Sequence, residues 1–210
     1  MNKTQGIILR ATDYKNSDKL LNVMTPYGII TLVARGVRKT SAKLKAYATI
    51  FTFGEFTYNE SKIGKVLSGV ECTDNFFPCW KELGKNIAAV FCFELTEKCF
   101  RNDEETAEEF VFLLKIMNEI AYGEVAPAAC CLKFAVFCAE RTGTDYTSVS
   151  KSEKSVYEVL HAVSQAEIEE LQTLQYEISE VYAALNRVCA LLKNNLGIRI
   201  NSQRNLMPAL

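Results

Sequence analysis

The chain has 210 residues, 49% of them hydrophobic and 23% charged, with a formal net charge of −1. That composition excludes disorder and fits a globular protein with a substantial core. The longest apolar run, IAAVFCF at 87–93, is too short to span a bilayer. No basic segment leads an apolar stretch with a small-residue cleavage site, so a cytoplasmic protein without membrane contact is expected.

Charge is distributed unevenly. Residues 1–70 hold 11 basic and 4 acidic residues, a net of +7, whereas residues 71–210 hold 13 and 21, a net of −8. Such asymmetry points to two modules with different partners. Eight cysteines stand at 72, 79, 92, 99, 130, 131, 138 and 189, with no C-x-x-C pair among them. Zinc sites need thiolates a short turn apart. Cys92/Cys99 and Cys131/Cys138 are instead seven apart, two helical turns, so reduced core cysteines are expected.

In chain order, the first 75 residues predict strands at 5–14, 18–28, 29–37, 47–60 and 65–76, rich in Ile, Val, Thr, Phe and Tyr. Turn chemistry at Asn16 to Asp18, Pro26 to Gly28 and Asn59 to Gly64 separates them. In the fourth, Phe51, Phe53, Glu55 and Thr57 alternate with Thr52, Gly54, Phe56 and Tyr58. Five short strands favour a small closed barrel, which leaves no exposed edge. An OB-type barrel fits the size, and an SH3-like barrel is the competitor.

From Pro78 the period becomes helical. One helix is predicted over 79–101, with Ile87, Val90, Phe91 and Leu95 on one face. Asn102 and Glu105 have capping-box spacing for the next, which carries Phe110, Leu113, Leu114, Met117, Ile120 and Ala121 and stops at Gly123. Pro127 opens a third, to about Arg141, with Cys131, Phe134, Ala135 and Cys138 inward. Residues 142–155 predict a loop, followed by helices near 155–164 and 166–172. A last helix, from Ile178 to Leu196, ends at Gly197. The fold class is therefore α+β: a five-stranded barrel over residues 1–77, then an α-helical domain over 78–210.

Catalytic chemistry has little to build on. There is no phosphate-cradling glycine loop, and the single histidine, His161 in VLHAV, has no triad around it. The acidic run DEETAEE at 103–109 suits the first turn of a helix, where the macrodipole favours carboxylates, better than a metal. No catalytic residue, cofactor or metal ligand is assigned, and a non-enzymatic protein is expected. What remains is VARGVRKTSAKLKAY at 33–47. Arg35, Arg38, Lys39, Lys43 and Lys45 fall within eleven positions with no carboxylate between them. Clustered cations bind phosphate backbones through counterion release, and aromatic rings beside them can stack bases. Arg10, Lys15 and Lys19, from the first hairpin, would share that wall if the barrel closes. A basic loop that binds nothing is the alternative from composition alone.

The opening QGIILRATDYKNSDKLLNVMTPYGIITLVARGVRKTSAK resembles the N-terminal domain of the RecO family of bacterial DNA-repair and recombination mediators. The ending LLKNNLGIRINSQRNL resembles the close of that family's helical domain. The resemblance implies an OB-fold that binds single- and double-stranded DNA, joined to an α-helical domain. It implies strand annealing, binding of the C-terminal tail of single-stranded-DNA-binding protein, and work with RecR to load RecA, in a cytoplasmic, nucleoid-associated setting. The VARGVRK--S match places DNA-binding cations at Arg35, Arg38 and Lys39. Lys43 and Lys45 extend the run by charge, and Arg10 and Lys19 by strand geometry. For the acidic tail, the third helix offers Lys133, Phe137 and Arg141. Many family members carry a four-cysteine zinc module after that helix. Here TGTDYTSVSKSEKS at 142–155 stands in its place, so no zinc is expected. The rival function is a protein-interaction adaptor whose basic barrel binds no nucleic acid.

Overall fold

A computed structural model describes residues 1–62, 64–101, 105–147 and 154–209, with side chains as far as Leu206. They form two compact units, the first comprising residues 1–77 and 100–112 and the second 78–99 and 113–210.

The first unit is built on β1 (Asn2–Tyr14), β2 (Asp18–Thr25), β3 (Gly28–Ala34), β4 (Phe53–Ser61) and β5 (Gly64–Asp74). They close in the order β1-β2-β3-β5-β4, and β4 returns to β1. All pairings are antiparallel except β3 with β5, where Leu32 stands opposite Lys65 and Val33 opposite Val66. This closure is the OB-fold, and the α+β class is as expected. β1 serves two neighbours: residues 2–7 pair with β4 and residues 7–14 with β2, around a bulge between Ile8 and Arg10. A bulge of this kind bends a strand enough to turn a barrel corner.

Ile8, Leu21, Val23, Leu32, Phe56 and Leu67 fill the interior. On β4 the period-2 pattern is plain, with buried Phe56 between the more accessible Glu55 and Thr57, whereas Ile8 of β1 lies between Ile7 and Leu9, both also buried. Gly6 and Gly54 face each other across β1 and β4.

The fourth strand begins later than its sequence suggests. Residues 47–52 alternate well enough to read as strand, but they form turns instead. Phe51 adopts φ +71° and is fully buried. Its N–H donates to the Ile8 carbonyl at 3.2 Å, and the Ile8 N–H donates to the Thr52 carbonyl at 2.9 Å. Burial of the Phe51 ring thus overrides local strand preference, and regular pairing starts at Phe53.

At the β2–β3 turn the barrel is sealed by Thr106. Its hydroxyl donates to the Thr25 carbonyl at 2.8 Å and accepts the Gly28 N–H at 2.9 Å. Its own N–H donates to the Pro26 carbonyl at 3.1 Å. The Phe110 ring, four residues on, lies 6.3 Å from that of Phe53. Thr106 immediately precedes helix α3 (Ala107–Tyr122), so the helix starts later than an Asn102 cap would place it. Asn102, like Asp103 and Glu104 of the acidic run, lies outside the described residues. Glu108 and Glu109 do occupy the first turn of α3.

The second unit contains α1 (Pro78–Lys81), α2 (Leu83–Cys99), the rest of α3, α4 (Pro127–Arg141), α5 (Lys154–Gln165), a 3-10 turn (Glu169–Thr173), α6 (Ile178–Leu196) and α7 (Gln203–Ala209). Helix α4 is central, packing on α2, α5 and α6. All eight cysteines are free, and Cys92, Cys130, Cys131, Cys138 and Cys189 are buried in this core. Burial pushes the Cys131 and Cys138 thiols well up, and that of Cys189 up to about 12, so they pack as neutral small side chains. Gly197 ends α6 at φ +64°, as its position predicts. Of the loop expected at 142–155, residues 148–153 lie outside the described residues.

Glu94 of α2 holds the C-terminal tail. Its carboxylate accepts the Asn201 N–H at 2.9 Å and the Ser202 N–H at 2.7 Å, together with the Ser202 hydroxyl at 2.5 Å. Partial burial works to raise its pKa, but these donors outweigh it and the net shift is downward. A lowered carboxyl pKa means the contribution to stability is complete above the ordinary glutamate range and is lost as pH falls through the folded-state value. Acidification should therefore loosen the tail, and Glu94→Gln should loosen it at neutral pH. Hydrogen exchange at Asn201 to Leu206 reads both effects; unchanged protection in the Gln variant would refute this role.

Candidate nucleic-acid interface

The basic run lies between β3 and β4, in residues 35–52. A loop this long is uncommon inside a compact domain, and this one is anchored by its own apolar residues. Val37 and Ala48 enter the barrel core, and Leu44 packs against it. Between these anchors the backbone coils through successive turns. Lys39 N–H donates to Gly36 O, Ala42 N–H to Lys39 O, Lys45 N–H to Ala42 O, and both Tyr47 and Ala48 N–H to Leu44 O, all at 2.9–3.2 Å.

The β1–β2 hairpin is fastened to the loop. Asp18 accepts the Gly36 N–H at 2.8 Å, and the Ser17 carbonyl accepts the Arg38 N–H at 3.0 Å. The Arg38 guanidinium reaches Asp13 at 3.1 Å and the Lys15 carbonyl at 3.3 Å. From the other side, the Lys19 ammonium donates to the Ala48 carbonyl at 3.1 Å.

The seven cations named from the sequence therefore divide by task. Arg35, Lys39, Lys43 and Lys45 are exposed on the loop. Arg38 is exposed but already engaged, and Lys19 is half-buried and ties the loop down. An exposed ion pair such as Arg38–Asp13 is worth under about 1 kcal/mol, so Arg38 can still exchange Asp13 for a phosphate. Arg10 stands apart, in an outward row with Asn22 and Thr31 across β1, β2 and β3. Its row is two outward positions from Tyr14, about 14 Å along the strand.

The β4–β5 turn adds cations that charge spacing alone did not single out. Lys62 is exposed, and the Lys65 ammonium lies 5.7 Å from the centre of the Tyr58 ring. Parallel pairing sets Lys65 opposite Leu32, three residues before Arg35. Only the barrel topology reveals that proximity. A reader of the sequence would have had to pair β5 with β3 to find it.

In the helical unit, Lys133, Phe137 and Arg141 follow one stripe of α4. The Lys133 ammonium donates to the Val163 and Ser164 carbonyls at 2.9 and 3.1 Å, at the end of α5. Burial lowers its pKa, against the pull of Glu140, Glu167 and Glu170. Phe137 stacks on buried Phe134 with ring centres 6.2 Å apart, and Arg141 is exposed. A cavity of about 250 Å³ in this unit is lined elsewhere, by Val163, Leu171, Leu174, Ile178 and Val181 with Glu124 and Tyr176. His161 is exposed, its ring 6.1 Å from that of Tyr157. Among the described residues, no helix is long and apolar enough to cross a membrane.

Comparison with known proteins agrees with the barrel. The family model described as "Recombination protein O N terminal" matches residues 1–76. The DNA repair protein RecO of Staphylococcus haemolyticus is 28% identical over 127 residues, covering 60% of this chain and 51% of its own. RecO of Listeria monocytogenes serotype 4b is 31% identical over 124 residues, 59% of this chain and 49% of its own. RecO of Listeria welshimeri is 30% identical over 125 residues, with the same coverages. The chain thus spans about half the length of the curated relatives it matches. One family model thus covers the entire barrel, and RecO proteins align with about 60% of the chain, so the first 76 residues are similar throughout to the N-terminal domain of RecO.

Proposed function

We propose that this protein is a DNA-binding mediator of recombinational repair, which binds single-stranded DNA and anneals complementary strands. The observation that carries the reading is the set of exposed cations on a loop anchored to an OB barrel. No bond need be made or broken. Two strands repel through their phosphates, and a rigid array of Lys and Arg screens that repulsion while leaving base edges to pair. Double-stranded DNA presents the same phosphates and is a second ligand. RecR and the acidic tail of single-stranded-DNA-binding protein are the proposed protein partners, with RecA loading as the outcome. On the helical unit, the α4 stripe with Phe137 and Arg141 is the proposed place for the tail, and Lys133 supports it from beneath.

Salt-titrated anisotropy of a labelled single strand tests the reading. If Arg35, Arg38, Lys39, Lys43 and Lys45 each neutralise one phosphate, log K against log salt has a slope of about −3.5. Affinity then falls roughly 100-fold between 50 and 200 mM salt. Undetectable or salt-insensitive binding would overturn it, leaving a protein-interaction adaptor with an idle basic barrel.

A further inference from the structure

Tyr14 and Tyr47 are the exposed aromatic residues within the cationic end of the barrel, 36% and 40% exposed. The loop is otherwise economical with apolar surface: Val37 is 3% exposed, and Ala48 and Phe51 are fully buried. Tyr14 closes β1 and pairs with Asp18, the residue that holds the Gly36 N–H. Tyr47 precedes Ala48, whose carbonyl receives Lys19, and its own N–H is fixed to the Leu44 carbonyl at 3.1 Å. Both rings therefore rise from backbone that is already held in place.

A cation lies over the Tyr14 ring, and two exposed cations precede Tyr47 in the chain. The Lys15 ammonium lies 5.0 Å from the centre of the Tyr14 ring. Lys15 itself adopts φ +51°, and its carbonyl accepts from Arg38. Tyr47 follows Lys45 and Lys43 in the chain, both exposed.

We propose that Tyr14 and Tyr47 are base-stacking positions on this surface, so that it prefers nucleic acid with unpaired bases over duplex. The inference rests on the DNA-binding reading above and deepens it. Phosphates are offered by single strands and duplexes alike, and cations alone distinguish them poorly. A free base face is offered only by a single strand, since each base of a duplex is already covered by its neighbours. Stacking on tyrosine needs no particular base, so the preference is for strandedness and not for sequence. When a base covers Tyr14, the Lys15 ammonium moves from the ring to the adjoining phosphate, a small displacement for a weak surface contact.

Tyr27 provides an internal control. It is 77% exposed but stands in the β2–β3 turn, at the opposite end of β2 from Tyr14. Anisotropy is measured on the full chain with a labelled oligo(dT) of about 20 nucleotides and with a duplex of equal length, at fixed salt. Tyr14→Ala/Tyr47→Ala should weaken oligo(dT) binding about 25-fold, roughly fivefold for each ring. Duplex affinity should be unchanged. Tyr14→Phe/Tyr47→Phe should restore oligo(dT) binding, and Tyr27→Ala should have no effect. Full oligo(dT) affinity in the alanine variant, or equal losses on both ligands, overturns the inference while the DNA reading stands. Absence of any DNA binding by the unsubstituted chain overturns the DNA reading and this inference with it.

Discussion

Replacing Arg35, Lys39, Lys43 and Lys45 together with alanine should lower affinity for single-stranded DNA several-hundredfold at about 0.1 M salt. Four phosphate contacts account for about 2.8 of the slope of log K against log salt, so the slope should collapse towards −0.7. The fold should survive, because all four side chains are exposed and the loop is held by Val37, Leu44 and Ala48. Surface changes of this kind cost within about 0.5 kcal/mol each. Arg38→Ala serves as a contrast. It removes one cation but also the link to Asp13 and the Lys15 carbonyl, so the hairpin should loosen along with the lost contact. Anisotropy titrations at several salt concentrations measure both variants. A quadruple variant with the original slope would show that phosphate is held elsewhere.

Gly54→Ala should be the most damaging single methyl in the barrel. A Cβ at that position would sit 2.1 Å from the Glu71 carbonyl oxygen and 3.0 Å from the Cys72 Cα, both backbone atoms of β5. Relief requires β4 and β5 to separate, next to the register shift between Phe53 and Gly54. Overpacking of this severity costs about 3 kcal/mol or more. For a chain of this length that corresponds to a fall in Tm of about 10 °C. Gly69→Ala, also in β5, should be nearly silent, since its nearest neighbour would be the Thr57 Cβ at an ordinary 3.7 Å. Thermal unfolding followed by circular dichroism compares the two. Equal melting temperatures would show that the β4–β5 seam yields without cost.

The barrel, the helical run and the Gly197 stop were legible because each follows from local periodicity or turn chemistry. The choice between OB and SH3-like closure was not. It rests on β3 pairing in parallel with β5, across more than thirty residues of chain, and no local preference encodes that. The same long-range pairing hid Lys62 and Lys65 from the charge reading. Residues 47–52 have strand chemistry, yet β4 starts only at Phe53 because Phe51 gains more by turning inward. Asn102 has the spacing of a cap, yet α3 starts at Ala107, after Thr106 has spent its hydroxyl on the β2–β3 turn. Arg35, Lys39, Lys43 and Lys45 were visible as a run of charge. That Arg38 and Lys19 would be structural ties became clear only from their partners.

The fastening of residues 35–52 also bears on how long a strand would stay. A loop that folded around its ligand would have to unfold to let it go, and departure would be slow. Here the cations ride on backbone already held by Val37, Leu44, Ala48 and the β1–β2 hairpin, so in the proposed DNA complex capture and escape would need only the exchange of phosphates for counterions. Short residence would suit the strand annealing proposed above, because the pair must be surrendered once it forms.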